Sequence, residues 1–177
     1  MPNLLPEKIL NGSMRSYTIS HLLEGTHVSP TIPSERVVMN RVLPPWQRPF
    51  VWERHRQIAW MEGVFLGLGT GSYCVNGSDY EYGGEERFMS GWVIDGQQRL
   101  TSLGLFLEDA FPVFGGVYYS QLSVPERRRR VLNQPFPCFE LDYQEDEEKL
   151  KELYKRLSFG GVAHTQADMD LLNGKGV

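Results

Sequence analysis

The sequence predicts a single α/β (α+β) domain in which a small mixed sheet is flanked by helices. The 177-residue chain is 41% apolar and 12% aromatic, which is enough to bury a core in one domain. Short apolar runs typical of strands alternate with segments whose apolar residues recur at helical spacing. We assign residues 1–177 to one domain, in which 1–17 form an N-terminal arm and 18–177 form the core.

Composition and charge exclude several classes of protein. The net charge of −4 argues against a general electrostatic nucleic-acid binder. No apolar stretch approaches the roughly 20 residues of a membrane helix, and the start of the chain lacks a signal-peptide pattern. Cys74 and Cys138 are isolated, which favours reduced thiols over a disulfide scaffold. We expect an intracellular, cytoplasmic protein with no membrane partner.

The first half of the core is predicted to contain two helices separated by a strand and an extended segment. Thr18 and Gly25 bound a short helix as its N-cap and its terminating glycine. Residues 35–43 resemble a strand, and residues 44–52 are extended because each proline disfavours helix at the residue before it. Residues 53–67 form a helix, since their apolar side chains recur near one face.

The second half alternates loops, strands and helices. Residues 68–90 are rich in glycine and turn residues, and they are predicted to form a loop with a hairpin. Ser123 and Glu126 have the spacing of a capping box, which marks the start of a helix. The other predicted elements are a strand at 91–95, a helix at 97–109, a helix at 123–133, a strand at 136–143, a helix at 145–157 and a short helix capped by Thr165.

The first motif, DGQQR, occupies the point where the strand at 91–95 meets the next helix. A helix N-terminus exposes unpaired N–H groups, Gly96 lets a backbone approach closely, and the Arg99 guanidinium suits phosphate oxygens. Asp95 could hold Mg²⁺ or orient a nucleophile, while Gln97 and Gln98 can donate and accept hydrogen bonds. The alternative is that Asp95 only caps the helix and that the amides face solvent. The residues alone favour neither interpretation.

The second motif, PPWQRPFVW, presents polar groups on a rigid extended segment. Gln47 and Arg48 lie between prolines, and Trp46 could stack on a base. Trp52 is interpreted as a core residue, whereas the position of Arg48 beside prolines favours a functional role.

Two further basic segments are candidates for binding. In LYKRLSFGG (153–161), Gly160 and Gly161 could form an anion-binding nest beside Arg156, although an ordinary helix C-cap is the simpler interpretation. A run of four arginines could contact nucleic-acid phosphates, although such runs more often form a solvated helix face. The run consists of Arg127, Arg128, Arg129 and Arg130.

The three motifs, in this order over roughly residues 36–172, resemble the DGQQR family of the ParB/sulfiredoxin superfamily, which includes the GmrS-like domain known as domain of unknown function 262. The resemblance implies a compact ParB/sulfiredoxin-like domain that binds a nucleoside triphosphate with Mg²⁺ and often hydrolyses it. Members act in defence against foreign or modified DNA, commonly joined to a C-terminal HNH nuclease. We interpret this chain as a short, stand-alone form without that nuclease.

The resemblance also assigns roles to residues. The implied catalytic residues are Asp95, Gln97, Gln98 and Arg99, with Asp95 as metal ligand. The implied nucleotide-binding residues are Gln47, Arg48, Gly96, Arg99, Arg156, Gly160 and Gly161.

Three hypotheses of function follow. The first is a Mg²⁺-dependent nucleoside triphosphatase in a DNA-related process such as phage defence or the handling of modified DNA. The second is a phosphotransferase acting on a hydroxyl of a small molecule or modified base. The third is a non-catalytic module that a nucleotide switches. Besides the nucleotide, we consider DNA and a separately encoded nuclease as partners.

Overall fold

The computed structural model describes residues 5–24 and 28–159. The sequence-based predictions for Gly25, Gly160 and Gly161, and for the helix capped by Thr165, lie outside these residues. Six strands and five α-helices occur in the described part of the chain. The strands are β1 (Gly12–Arg15), β2 (Val37–Val38), β3 (Arg41–Val42), β4 (Tyr73–Val75), β5 (Val93–Asp95) and β6 (Cys138–Leu141). The helices are α1 (Ile19–Leu23), α2 (Arg54–Phe65), α3 (Gln97–Leu107), α4 (Val124–Glu126) and α5 (Glu147–Phe159).

The main sheet has four strands in the order β1-β6-β4-β5. Strands β4 and β6 are parallel, whereas β1 and β5 pair with their neighbours in antiparallel orientation. The predicted α/β class with a small mixed sheet is therefore confirmed. Helices α2, α3 and α5, and strands β5 and β6, form at the predicted places with ends shifted by a few residues. These segments contain the apolar spacing on which their prediction rests.

Two strands of the main sheet were not predicted. Strand β1 lies within residues 1–17; its four residues, GSMR, are all exposed and include one apolar side chain, so its sequence shows no apolar alternation. Strand β4 lies within residues 68–90, which were predicted to form a loop with a hairpin. An antiparallel bridge between Tyr80 and Glu86 does occur there, but β4 at 73–75 was not predicted. Both strands are stabilised by pairing with β6, a contact distant in sequence.

A hairpin replaces the single strand predicted at 35–43. A 3₁₀ turn over Ser34–Arg36 leads into β2, and β2 pairs with β3 across a two-residue turn. Met39 and Asn40 both have positive φ, at 47° and 58°, which is the conformation of a type I′ turn. The strand prediction was wrong because it ignored this turn, for which Asn40 was the available signal.

The capping box at the start of α4 is confirmed. The Ser123 N–H donates to Glu126 Oε2 over 2.8 Å, and the Glu126 N–H donates to Ser123 Oγ over 3.5 Å. The helix then widens into a π-helical turn over Arg127–Leu132.

Apolar side chains cover both faces of the main sheet. On one face, α2 and α3 contribute Met61, Leu103 and Phe106 to the larger cluster. On the other face, α5 contributes Leu150 and Leu153 to a second cluster. Helix α5 packs against β5, and its last turns lie near the start of α3.

The two cysteines are buried, unpaired thiols, as the sequence predicts. Cys74 belongs to the cluster beneath α5, whereas Cys138 belongs to the cluster beneath α2 and α3. Burial raises the pKa of each thiol to about 12, so both are protonated at neutral pH. Across residues 5–24 and 28–159, no helix has the length and apolar composition needed to cross a bilayer.

Candidate functional site

A polar cleft of about 220 Å³ opens at the junction between strand β5 and helix α3. The segment between β3 and α2 forms a second wall, and the last turns of α5 form a third. The cleft is lined by Gln47, Arg48, Trp52, Asp95, Gly96, Gln97, Gln98, Arg99, Tyr154, Leu157 and Ser158. The fold thus brings the first two motifs together with the helix that carries the third.

Gly96 allows the chain to turn from strand β5 into helix α3. Its φ of +106° lies in the left-handed region, which residues with a side chain rarely adopt. A Cβ atom at this position would lie 2.5 Å from Tyr73 Cβ in strand β4. The sequence predicts that another group lies close to the backbone of Gly96, and that group is Tyr73. This close approach lets the Gly96 carbonyl accept the Leu100 N–H, the first intrahelical bond of α3.

The N-terminus of α3 faces this cleft without a capping side chain. The N–H groups of Gln97, Gln98 and Arg99 belong to the first turn, which has no intrahelical acceptors. The N-cap residue is Gly96, so the alternative in which Asp95 merely caps the helix is wrong. Unpaired N–H groups and the helix dipole together favour an anion at this position.

Asp95 instead fixes the guanidinium of Arg99. Arg99 Nη2 donates to Asp95 Oδ2 over 2.8 Å and to the Ser72 carbonyl over 2.7 Å. The buried Arg99 Nε has no hydrogen-bond partner in the described part of the chain. The two side chains are only 27% and 33% exposed, so the guanidinium is held in one orientation beside the start of α3.

Gln98 attaches the proline-rich segment to α3. Its Oε1 accepts the N–H groups of Val51 and Trp52, over 2.9 and 3.0 Å. From the other side, Gln57 Nε2 donates to the Trp52 carbonyl over 2.7 Å. Gln97 and Gln98 are only 7% and 9% exposed, which contradicts the interpretation of solvent-facing amides. Gln98 therefore positions the wall of the cleft that carries Gln47 and Arg48.

We expect Gln98→Ala to lower the free energy of unfolding by roughly 2–3 kcal/mol, because two backbone N–H groups would lose their acceptor. Gln97→Ala is the matched control, since among the described residues the Gln97 side chain makes one long hydrogen bond, accepted by Oε1 from Gln98 Nε2 over 3.4 Å. Urea denaturation of both variants measures the difference. Equal losses of stability would show that Gln98 does not anchor the segment.

The two tryptophans of the second motif have roles opposite to those predicted. Trp46 packs on Tyr154 of α5, with ring centroids 5.4 Å apart, and joins the apolar cluster on that face. It is not placed to stack on a base in the cleft. Trp52, interpreted from sequence as a core residue, lines the cleft instead.

Arg156 does not reach the cleft. Its side chain is 68% exposed, and its Nε donates to Glu152 Oε1 over 2.7 Å. Tyr154, Leu157 and Ser158, on the other side of α5, line the cleft. Helical geometry separates residue 156 from these neighbours, because positions 154, 157 and 158 share one face.

Comparison with known proteins identifies the family of the chain. A family model described as the N-terminal domain of the GmrSD restriction endonuclease matches residues 34–135, more than half of the chain. The chain belongs to this family. No curated protein and no solved structure is significantly similar to it.

As a GmrSD N-terminal domain, the chain is related to the N-terminal part of a restriction enzyme, and a DNA-associated role follows from this relationship. The resemblance to GmrS-like domains is confirmed at this level, whereas the narrower assignment to the DGQQR family and its superfamily stays a prediction. The matched region includes Gln47, Arg48 and residues 95–99, but it ends before α5.

The arginine run of this GmrSD N-terminal domain divides into two pairs. Arg127 donates to the carbonyls of Leu122 and Ser120, and Arg130 donates to the carbonyl of Phe65. These two guanidinium groups hold the local fold. Arg128 and Arg129 are exposed, so the prediction of phosphate contacts by this run now concerns those two residues.

The acidic groups suited to a metal are few. Residues 5–24 and 28–159 contain no cluster of three or more His, Cys, Asp or Glu side chains that could hold a metal ion. Of the described residues that line the cleft, Asp95 alone carries a carboxylate. A cation in the cleft would therefore need ligands from a bound anion as well as Asp95.

Sequence reasoning missed three contributors to this site. Gln57 lies four residues before the buried Met61, so a glutamine on the apolar face of α2 was a signal that could have been used. Ser72 acts through its backbone carbonyl, which no sequence pattern reveals. Tyr154 lines the cleft because helix α5 packs beside strand β5.

Proposed function

We propose that this cleft binds the triphosphate of a nucleoside triphosphate with Mg²⁺ and hydrolyses it, in a DNA-related process such as restriction of phage or modified DNA. The observation that carries the proposal is the uncapped N-terminus of α3 with the Arg99 guanidinium fixed beside it. Arg48 adds a second guanidinium on the wall opposite. Three sources of positive potential around one polar cleft suit the charge of a triphosphate.

The size of the cleft suits the phosphate groups of the nucleotide rather than the whole nucleotide. A volume of about 220 Å³ is below the roughly 300 Å³ at which pockets for whole drug-sized ligands begin. The polar lining also suits phosphate oxygens better than a base. We therefore assign the nucleoside to a place outside the cleft.

The donor set fits a Mg²⁺ ion that arrives with its nucleotide. Magnesium sites in such proteins use one or two carboxylates together with substrate phosphates and waters. Asp95 supplies one carboxylate, whose Oδ2 is engaged by Arg99 and whose Oδ1 has no hydrogen-bond partner among the described residues. When bound, the ion would neutralise charge on the phosphates.

Each residue of the cleft has a distinct task in this proposal. Arg99 and the first N–H groups of α3 hold the phosphate oxygens and stabilise charge that develops on them. Asp95 cannot bind phosphate directly, since two negative groups repel each other without a cation or donor between them. Its carboxylate therefore orients the attacking water or the cation, and it keeps Arg99 in position.

We expect Asp95→Asn to lower turnover on the order of a hundredfold while nucleotide affinity and the fold are retained. Asparagine has the same shape, and its carbonyl oxygen can still accept the hydrogen bond from Arg99. The measurement is phosphate release and nucleotide Kd for the variant beside the wild type. If Asp95→Asn turns over as fast as the wild type, Asp95 has no role in orienting water or the cation, and its role is to hold Arg99.

A nucleotide-switched module without turnover is the second candidate. The ion pair between Asp95 and Arg99 favours it, because this pairing occupies the one carboxylate among the described cleft residues. Tight binding with no phosphate release would support this candidate over hydrolysis. Phosphate transfer that occurs only with an added hydroxyl acceptor would support a phosphotransferase.

We propose that DNA, if bound by this domain, contacts Arg128 and Arg129. Changing both to glutamine should weaken binding to duplex DNA and reduce the slope of log affinity against log salt by about two. The control is the double change Lys155→Gln and Arg156→Gln, which removes the same charge from α5. If the slope of log affinity against log salt is the same in the wild type and in the Arg128/Arg129 variant, these two residues do not contact DNA and only face solvent.

A further inference from the structure

A second pocket, of about 520 Å³, adjoins the cleft. It lies between the turn and strand at 34–38, the proline-rich segment at 43–50 and the outer side of α3, and we call it the proline pocket. Gln47, Arg48 and Gln97 line both the cleft and the proline pocket. These three residues therefore form a boundary that the two spaces share.

The proline pocket differs from the cleft in chemistry. Its walls include Pro44, Pro45 and Pro49, together with Val37 and Phe50. Proline and phenylalanine rings present flat apolar surfaces, which suit a planar ring system. A polar space beside a larger apolar one matches the division of a nucleotide into a charged triphosphate and an aromatic base.

Two side chains that line the proline pocket carry buried polar atoms without a partner. Arg36 Nη2 is a donor, and Gln47 Oε1 is an acceptor; neither has a hydrogen-bond partner among the described residues. Arg36 is held in place because its Nε donates to the Leu43 carbonyl over 2.9 Å. Unsatisfied buried polar atoms are rare in folded proteins, and each calls for a partner or a role that explains it. The hydrogen-bonding edge of a base offers both an acceptor and a donor.

We propose that the proline pocket holds the base and sugar of the nucleotide whose triphosphate occupies the cleft. The bound ligand then crosses the boundary formed by Gln47, Arg48 and Gln97. This inference rests on the proposed function and adds the location at which the nucleotide is selected. It also gives a second role to the proline-rich segment, which Gln98 fixes to α3.

The test compares nucleoside triphosphates with inorganic tripolyphosphate, which has the charged end of the ligand and no base. Calorimetry with Mg²⁺ would be run for ATP, GTP, CTP, UTP and tripolyphosphate. We expect at least one nucleotide to bind wild type roughly tenfold or more tighter than tripolyphosphate, since stacking of one base contributes about that much. Thr101→Phe, which fills the proline pocket from α3, should remove this advantage and leave tripolyphosphate affinity unchanged.

Two further variants make the test specific. Thr101→Val keeps the size of the side chain and should preserve the advantage of the nucleotide. Phe50→Ala removes an aromatic wall and should reduce that advantage, and it decides the matter where Thr101→Phe does not fold. If tripolyphosphate binds wild type as tightly as every nucleotide, the inference is overturned while phosphate binding in the cleft stands. If neither kind of ligand binds, the proposed function fails and the inference fails with it.

Discussion

Arg99→Ala is expected to weaken nucleoside triphosphate binding by about three orders of magnitude, or roughly 4 kcal/mol. Asp95 and the Ser72 carbonyl hold the guanidinium in one orientation, so little entropy is lost when it meets a phosphate. Removing it eliminates a preorganised positive charge and leaves Asp95 as an uncompensated negative charge in the cleft. Both effects act against an anionic ligand. Calorimetric titration of wild type and variant with Mg²⁺ and each nucleotide measures the loss.

The control for this loss is Arg156→Ala. That change removes the same charge from an exposed arginine that is paired with Glu152 and lies outside the cleft lining. It should change nucleotide affinity by no more than a few-fold. Arg99→Lys is a second comparison, because it keeps the charge but loses the planar fork, and it should fall between wild type and Arg99→Ala. Equal effects of Arg99→Ala and Arg156→Ala would show that long-range charge explains binding and that the cleft does not.

Gly96→Ala is expected to lower the free energy of unfolding by roughly 3–5 kcal/mol, through two separate costs. The first is backbone strain, since φ is +106°. The second is a clash, since the new Cβ would lie 2.5 Å from Tyr73 Cβ and 3.0 Å from Tyr73 Cα. Tyr73 cannot move aside easily, because it is 2% exposed and packs edge-on against Phe136 with ring centroids 5.1 Å apart.

Gly69→Ala separates the two costs. Gly69 has a similar φ of +90°, but nothing lies within 4 Å of a Cβ built there. This control should lose only the backbone term, about 1–2 kcal/mol. Denaturant unfolding of both variants gives the difference, which measures the steric requirement at the start of α3. Similar losses at both positions would mean that the contact with Tyr73 relaxes at no cost.

The elements that the sequence predicts best are those with local causes. Helices α3 and α5 follow from apolar periodicity, and the start of α4 follows from the capping box of Ser123 and Glu126. Strands β1 and β4 depend on pairing with β6 across more than sixty residues of chain, so their short sequences carry little signal. Long-range pairing is the information that a single sequence supplies least well.

The sequence predicted where the motifs of the candidate site lie better than it predicted what each residue contacts there. The DGQQR motif does mark the handover from β5 to α3, and the second motif does form the adjacent wall. The hydrogen bonds that Gln98 accepts from Val51 and Trp52 give it a positioning role that the motif does not reveal, while its catalytic role stays a prediction. Partners 46 and 47 residues away in the chain cannot be read from a motif of five letters. Arg156 lies outside the cleft lining, because the side of α5 that faces the cleft depends on how that helix packs.

The arrangement of DGQQR also explains why an acid, two amides and a guanidinium are adjacent in sequence. Asp95 ends the strand and reaches one turn ahead to hold Arg99, while Gly96 allows the chain to pass Tyr73. Gln98 then ties the first turn of α3 to the segment that carries Arg48. Together these contacts place the Arg99 guanidinium, the segment that carries Arg48 and a helix N-terminus around one space.

The central claim is that this space binds a triphosphate, and a crystal structure with a non-hydrolysable nucleoside triphosphate and Mg²⁺ tests it most directly. We predict that the phosphates lie within hydrogen-bonding distance of the Arg99 guanidinium and of the first N–H groups of α3. Binding of the triphosphate anywhere else on the domain, or a cleft without phosphate at saturating nucleotide, would contradict the account.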